Sequence, residues 1–420
     1  MIVVPAERTR SVREYYFSRK LKEVAALDAS RKASGKDGII NLGIGAPDGM
    51  PPQEAVMTLA ESAVLPGVHA YQSYTGILEL RKAFAAWYSR YYGVSLDPGS
   101  EIQPLVGSKE GILLISLAFL DKGDRVLVPD PGYPTYTSAS RLAEAETVTY
   151  ALKEDNGWEP DFEALERMDL SGVKLMWTNY PNMPTGAPAS MELYRRLVDF
   201  GLRHGIMICN DNPYSFILND RPLSILAVQG AKKCCLELNS LSKAHNMSGW
   251  RVGMVAASPD VVAEILKVKS QMDSGMFRPL QLAAVKALEQ GPEWYAALNE
   301  EYRRRRVLAG RIFDLIGAVY DRDSAGMFLW GKVGADNLLA RRWAEAGFPG
   351  RLQVPVPEKD AEVTSGEMVS DAALYGAGVF ITPGLVFGKN GESYVRVSLC
   401  AKPEILEEAC ARLREMIMDN

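Results

Sequence analysis

Short apolar, β-branched runs alternate with helical patterns through about Pro279, the rhythm of a parallel or mixed sheet covered by helices. One helix is expected from Ser108 through LLISLAFL to about Asp121. Strands are expected around Arg125–Pro129 (RVLVP), Thr147–Tyr150 and Val173–Thr178 (VKLMWT). A second helix opens at Ser190, whose hydroxyl suits an N-cap, and stops at Gly205, a good helix-ending residue. Further strands follow at Ile206–Cys209 (IMIC), Cys234–Leu238 and Met254–Ala257. Beyond about Pro279 long helical stretches precede Gly376–Pro383 (GAGVFITP), Tyr394–Leu399 (YVRVSL) and a closing helix from Pro403. That change of pattern predicts a second, smaller α/β domain, completed by the N-terminal segment.

Composition narrows the function classes. The chain has 420 residues, 47% hydrophobic and 24% charged, enough for a large core plus a second domain. A formal net charge of -5 argues against nucleic acid or an anionic membrane as the main partner. The basic run Arg303–Arg306 follows Glu300 and Glu301 in a helical stretch, and reads as a solvated helix face or as intersubunit ion pairs. Five cysteines, placed mostly in apolar runs, read as small core residues in a reducing compartment. No apolar segment long enough to span a membrane is present, and no secretory signal opens the chain, so a cytoplasmic protein is expected. His69, His204 and His245 make no metal pattern.

Four segments carry candidate chemistry. In Asn239–Gly253 (NSLSKAHNMSGWRVG) a strand ends, Ser240 and Ser242 precede Lys243, and Arg251 follows eight residues later. A buried lysine at a strand end has a lowered pKa and a free nucleophilic amine, and an arginine nearby can clamp a phosphate through two parallel hydrogen bonds. Alone, the pair reads equally well as a surface lysine beside a structural arginine. In Ile206–Tyr214 (IMICNDNPY) an apolar run leads into Asp211, placing a carboxylate at the carboxyl end of a buried strand, where ligands of open α/β sheets sit. Such an aspartate can hold a protonated pyridine nitrogen, with Tyr214 on the same ring's phenolic oxygen; an Asx-turn followed by a core tyrosine is the alternative. Gly107-Ser108-Lys109 before an apolar helix would offer backbone N–H groups to an anion. In Asp130-Pro131-Gly132-Tyr133-Pro134 the prolines fix the backbone, and Tyr133 can stack on a planar ring or simply pack in a turn.

Together these segments resemble the class I/II aminotransferases of the fold-type I pyridoxal-5′-phosphate (PLP) family. The resemblance runs in order over almost the whole chain: LGIGAPD at Leu42–Asp48, Tyr71 with Gly76 and Arg81, GSK, DPGYP, PTG at Pro184–Gly186, DNPY, SLSK…GWRVG, PG..FG at Pro383–Gly388 and YVRVSL. It implies an α/β fold: a large PLP-binding domain over 61–290 with a mostly parallel, mixed seven-stranded sheet flanked by helices. A smaller α/β domain over 291–420 is joined by residues 1–60. The implied roles are Lys243 as the Schiff-base lysine and proton carrier, Asp211 at the pyridinium, Tyr214 at the phenolic oxygen and Tyr133 stacked on the ring. Ser108 and Lys109, through backbone N–H groups, with Ser240 and Arg251, would hold the phosphate. Tyr71 would reach the phosphate of a neighbouring subunit in a homodimer. Arg396 would grip the substrate α-carboxylate, assisted by backbone near Gly45.

One departure stands out: the family's usual Asn-Pro-Thr-Gly is here Met183-Pro184-Thr185-Gly186, and a thioether donates no hydrogen bond. Asn182 or Asn179 is expected to supply the missing amide, or Tyr214 to act alone; Asn182 is counted among the cofactor-binding residues. The stretches KSQMDSGMF and SLSKAHNMSGW are most similar to the branch of LL-diaminopimelate and related alanine- or aspartate-type aminotransferases. Tyr15 resembles a tyrosine of that branch that closes over substrate, although its segment also reads as an amphipathic-helix contact. The resemblance implies transfer of an amino group from an amino acid to a 2-oxo acid such as 2-oxoglutarate by a ping-pong route. A PLP-dependent C–S β-lyase and a non-catalytic PLP-binding sensor are the rival readings.

Overall fold

In the computed structural model residues 2–12, 14–347 and 363–418 are described. In chain order the strands are β1 (Ile40–Asn41), β2 (Ile102–Leu105), β3 (Arg125–Asp130), β4 (Glu146–Ala151), β5 (Val173–Thr178), β6 (Met207–Asp211) and β7 (Cys235–Ser240). They continue as β8 (Gly253–Ala256), β9 (Val319–Tyr320), β10 (Phe328–Lys332), β11 (Val379–Phe380), β12 (Thr382–Pro383) and β13 (Tyr394–Ser398). Seven of them form one sheet in the order β2-β8-β7-β6-β5-β3-β4. All neighbours in it are parallel except β8, which runs antiparallel to both β2 and β7. Strands β3, β5, β6 and β7 are buried nearly end to end, as expected where helices cover both faces of a parallel sheet. The fold is therefore the expected mixed seven-stranded α/β architecture.

The elements fall close to the expected ones. The helix Ser108–Phe119 ends two residues early, and helix Met191–His204 is capped by Ser190, whose hydroxyl accepts from the Leu193 N–H at 2.9 Å. The apolar run IMIC underestimates β6, which continues through Asn210 and Asp211 because Asn210 pairs in register with Glu237 and gives its side-chain amide to that carboxylate at 2.9 Å. GAGVFITP is split into a wide helical turn at Ala372–Ala377 followed by β11 and β12.

A second, antiparallel sheet has the order β12-β13-β10-β9. The N-terminal segment reaches this half of the molecule through β1, which pairs in parallel with β11 (Ile40 opposite Val379). The boundary expected between residues 60 and 61 falls inside helix Gln53–Ala63, which packs along helix Arg278–Leu288. Along the 25-residue helix Pro292–Ile316 the arginine run is tied within the chain: Arg303 to Glu300, Arg305 to Glu301 and Asp48, and Arg306 to Asp323. Arg305 is buried, so the run is not only a solvated face. Among the described residues no helix is long and apolar enough to cross a membrane.

Candidate active site

The carboxyl ends of the parallel strands, the start of helix Ser108–Phe119 and the facing edge of the second sheet enclose a cavity of about 280 Å³. Its lining contains Tyr15, Gly45, Ser108, Lys109, Tyr133, Asp211, Tyr214, Ser240, Lys243, Arg251 and Arg396. Thus eleven of the residues singled out in the sequence, drawn from segments far apart in the chain, face one space. At one end the N-terminus of helix Ser108–Phe119 meets the Arg251 guanidinium. Gly107 lies at φ +78, and a Cβ there would come within 2.1 Å of an Arg251 nitrogen, so the glycine lets the guanidinium cross the helix start. Arg251 itself holds a left-handed backbone (φ 58), and its Nη1 donates to the Ser248 carbonyl at 2.8 Å and to Ser242 Oγ at 3.3 Å. Ser240 Oγ lies 2.8 Å from Ser242 Oγ. Helix-start N–H groups, hydroxyls and a guanidinium around one point make a phosphate-sized anion seat.

In the middle, Lys243 Nζ donates to the Gly45 carbonyl at 2.6 Å. Burial lowers its pKa to about 8, so a neutral, nucleophilic amine is within reach near neutral pH. Asp211 ends β6 and is 5% exposed. Its Oδ2 accepts from the Tyr136 hydroxyl at 3.0 Å, whereas its Oδ1 is buried without a hydrogen-bond partner. Burial raises this carboxyl to about 7, against the lowering effect of Tyr136 and Lys243. Tyr136 was not singled out in the sequence; its signal was its place one helical turn beyond Tyr133, on a helix beginning at Pro134. Its ring stacks on Trp177 at 4.9 Å, which fixes the hydroxyl under Asp211. Tyr133 packs edge-on against Tyr136 at 5.6 Å.

At the other end lies Arg396 on β13, 4% exposed. Its Nη2 donates to the Gly43 carbonyl at 2.7 Å, its Nη1 lies 3.2 Å from Met183 Sδ, and its Nε has no partner. The aromatic rings of Phe328 and Phe387 sit 3.9 and 4.5 Å from its guanidinium carbon. Burial lowers its pKa to about 10, and the titratable groups around it are tyrosines and a cysteine, neutral at pH 7, rather than carboxylates. A buried guanidinium without an anion is costly unless a ligand supplies one. Phe328 escaped the sequence reading, and Phe17 and Phe387, although they lie in segments that carry the resemblance, were given no role there. Tyr15 carries the Lys109 ammonium 4.2 Å above its ring, at the cavity wall.

Asn182 does not take the expected place. It is absent from the lining; its amide nitrogen donates to the Asn179 carbonyl at 3.1 Å and its oxygen accepts from the Thr185 hydroxyl at 2.8 Å. The tight turn engages the amide on both its nitrogen and its oxygen, away from the cavity. Asn179 does line the cavity, but its nitrogen donates to the Asp211 carbonyl at 2.5 Å and its oxygen accepts from the Met183 N–H at 2.7 Å. Tyr71 is 90% exposed and outside the cavity of the single chain. His245 faces away, into an aromatic cluster, with its Nε2 3.0 Å from the Tyr295 hydroxyl; burial lowers its pKa to about 3.

The residues fit PLP. The unpartnered Asp211 Oδ1 suits a pyridinium N–H, the anion seat suits a phosphate, and the unpaired Arg396 suits a substrate carboxylate. Residues 37–413 match the family model for aminotransferase class I and II. The chain is 39% identical to the LL-diaminopimelate aminotransferase of Desulforudis audaxviator over 99% of this chain and 98% of that one. With the enzyme of the same name from Aquifex aeolicus the identity is 37%, over 96% and 99%. Among solved structures, substrate-bound BacF from Bacillus subtilis superposes with a TM-score of 0.86 at 30% identity, covering 99% and 98%.

Proposed function

Because the chain belongs to the class I and II aminotransferase family and is a PLP-dependent transferase, we propose that it moves the amino group of LL-diaminopimelate to 2-oxoglutarate by a ping-pong route. Related alanine- or aspartate-type amino acids stand next among donors. The single observation that carries amino-acid chemistry is Arg396: a buried guanidinium, free of any carboxylate partner, in the same cavity as Lys243 and Asp211. The support for the particular donor is that relatives 36–39% identical over nearly their full length bear that enzyme's name.

In this reading Ser108, Lys109, Ser240 and Arg251 hold the phosphate, Tyr133 stacks on the ring, and Tyr214 bonds its phenolic oxygen. When bound, PLP supplies an electron-withdrawing ring that weakens the bonds at the substrate's Cα. Asp211 keeps the pyridine nitrogen protonated, which its own ionised form favours. Arg396, with backbone near Gly45, grips the α-carboxylate and so fixes the direction of the Cα–H bond. Lys243, its amine neutral once released, takes that proton and returns it on the cofactor side. Tyr15 closes the cavity over the substrate. The protein works as a cytoplasmic homodimer, with Tyr71 reaching the partner's phosphate. The support for that pairing is the exposure of two large aromatic side chains, Tyr71 at 90% and Phe277 at 41%, the latter stacked on His69 at 5.7 Å.

A panel of amino-acid donors, each mixed with the PLP-loaded enzyme alone, tests this by the loss of the cofactor's visible band. LL-diaminopimelate is expected to react fastest and 2-oxoglutarate to restore the band. A response to alanine, aspartate or aromatic donors without LL-diaminopimelate would replace the donor. Pyruvate and ammonia from cystathionine, without transfer, would establish the β-lyase instead; silence to every donor would point to the sensor.

A further inference from the structure

The loop Gly384–Gly391 leaves the second sheet, yet four of its hydrogen bonds run to the end of β3 in the large one. Asp130, the last residue of β3, accepts from the backbone N–H of Lys389 at 3.2 Å and of Asn390 at 3.0 Å. The Asn390 side-chain amide donates to the Asp130 carbonyl at 3.0 Å, and two residues on the Gly132 N–H donates to the Phe387 carbonyl at 2.7 Å. Gly388 lies at φ +133, where side chains are disfavoured, and a Cβ there would stand 2.1 Å from Asp130 Oδ1. Carboxylate and glycine are therefore fitted to one another.

Each end of this contact leads into the cavity. Phe387, beside Gly388, packs edge-on to Trp330 at 5.9 Å and lies 4.5 Å from the Arg396 guanidinium. Tyr133, on the same turn as Asp130, lines the cofactor side. Asp130 itself is not part of the lining. A second tie between the two sheets, Glu154 with the Tyr394 hydroxyl at 2.9 Å and Lys332 at 3.3 Å, is independent of Asp130.

We propose that Asp130 is a positioning residue: its carboxylate staples the Gly384–Gly391 loop to the end of β3 and holds Phe387 against Arg396, setting how tightly carboxylate-bearing substrates bind. The inference rests on the reading of Arg396 as the carboxylate grip. It separates binding from chemistry, since Asp130 touches neither Lys243 nor Asp211 in the structure.

The test uses the PLP-loaded enzyme and its Asp130→Ala and Asp130→Asn variants. Asp130→Ala is expected to raise KM for donor and oxo acid about tenfold, the scale of a lost charge-assisted hydrogen bond, with kcat within about threefold. Hydrogen exchange at the Lys389 and Asn390 amides should quicken in parallel, and Asp130→Asn, which keeps an acceptor, should fall between. Asn390→Ala removes one bond from the opposite side and should raise KM in the same direction by less; if Asp130→Ala does not fold, it decides alone. Unchanged KM, or a fall confined to kcat, overturns the staple. Arg396→Lys is run alongside: no rise in KM there refutes the carboxylate grip, while faster exchange at 389 and 390 still judges the staple by itself.

Discussion

Two buried carboxylates stand on neighbouring strands of the large sheet, and they are treated differently. Glu237 on β7 receives the Tyr88 hydroxyl, the Asn210 amide, the Ser224 hydroxyl and the Ile225 N–H, at 2.9, 2.9, 2.8 and 3.1 Å. Asp211 on β6 receives Tyr136 alone, and one of its oxygens has no partner. The buried cations divide the same way. Lys269, 1% exposed, lies between Glu110 at 3.3 Å and Asp273, whereas Arg396 has only a carbonyl, a thioether and aromatic faces. An unmet buried polar group costs about 1–3 kcal/mol. The protein meets that demand at Glu237 and Lys269 and leaves it open at Asp211 and Arg396. The two open demands share a cavity that Glu237 and Lys269 do not line. Among these four buried charged side chains burial alone therefore does not mark the site; burial without a charged or fully hydrogen-bonded partner does.

The largest effect should come from removing the open carboxylate. Asp211→Ala is expected to lower kcat/KM about 10³-fold, ~4 kcal/mol of transition-state stabilisation, with the fold intact. Glu237→Gln should lower stability to urea by about 1–3 kcal/mol and leave kcat/KM within about threefold. Equal damage to turnover from Glu237→Gln would break the comparison. The cofactor-free protein sharpens it through pH. Between about pH 4 and 7 folded Asp211 still holds a proton that the unfolded chain has released, so its contribution makes stability fall as pH rises. Between about pH 8 and 10.5 the unfolded chain keeps a proton that folded Lys243 has lost, so the Lys243 contribution makes stability rise. Urea melts across pH should dip near 7 to 8, and Asp211→Asn should flatten the acid-side slope. An unchanged slope would mean that Asp211 is not the titrating group.

Next in size are the cations. Arg396→Lys keeps the charge and loses the planar fork, and should raise KM for donor and oxo acid about 10²-fold, ~2–3 kcal/mol. Lys269→Met should leave KM unaltered and cost about 3–5 kcal/mol in thermal or urea unfolding, because it strands Glu110 and Asp273. A KM rise at Lys269→Met would show that the structural network reaches the site.

What the sequence made legible follows from how local each cause is. Lys243, Arg251, Asp211 and Tyr133 sit at strand ends or in glycine- and proline-bounded turns, where neighbouring residues already dictate the backbone. Six of the seven strands follow equally from short apolar runs in a helix-covered sheet; β2, four residues long with a proline in it, gave no such run. Arg305 was hidden because its partner Asp48 is 257 residues away. Phe328 was hidden likewise, as an apolar residue that any core would use, and the same ambiguity left Phe387 without a role inside its motif. Asn182 misled because adjacency in the chain favoured it, while the turn directs its amide away from the cavity, to Asn179 and Thr185.

Met183 gives the smallest predicted effect and asks most of the comparison, since it concerns a donor that the site lacks. With one N–H of the Asn179 amide and one of the Asn182 amide bonded elsewhere, and Asn182 outside the cavity, Tyr214 is the donor proposed for the cofactor's phenolic oxygen, and the Met183 sulfur faces the Arg396 guanidinium at 3.2 Å. An amide at 183 would stabilise the ionised oxygen, so the visible titration of the bound cofactor in Met183→Asn should move about one unit to lower pH, ~1.4 kcal/mol. The same amide oxygen would accept from Arg396 more strongly than a thioether does, so a change in KM should accompany the shift. Superimposable titrations of wild type and variant would mean that the polar demand at that oxygen is already met, and that vacancy in this cavity is confined to Asp211 and Arg396.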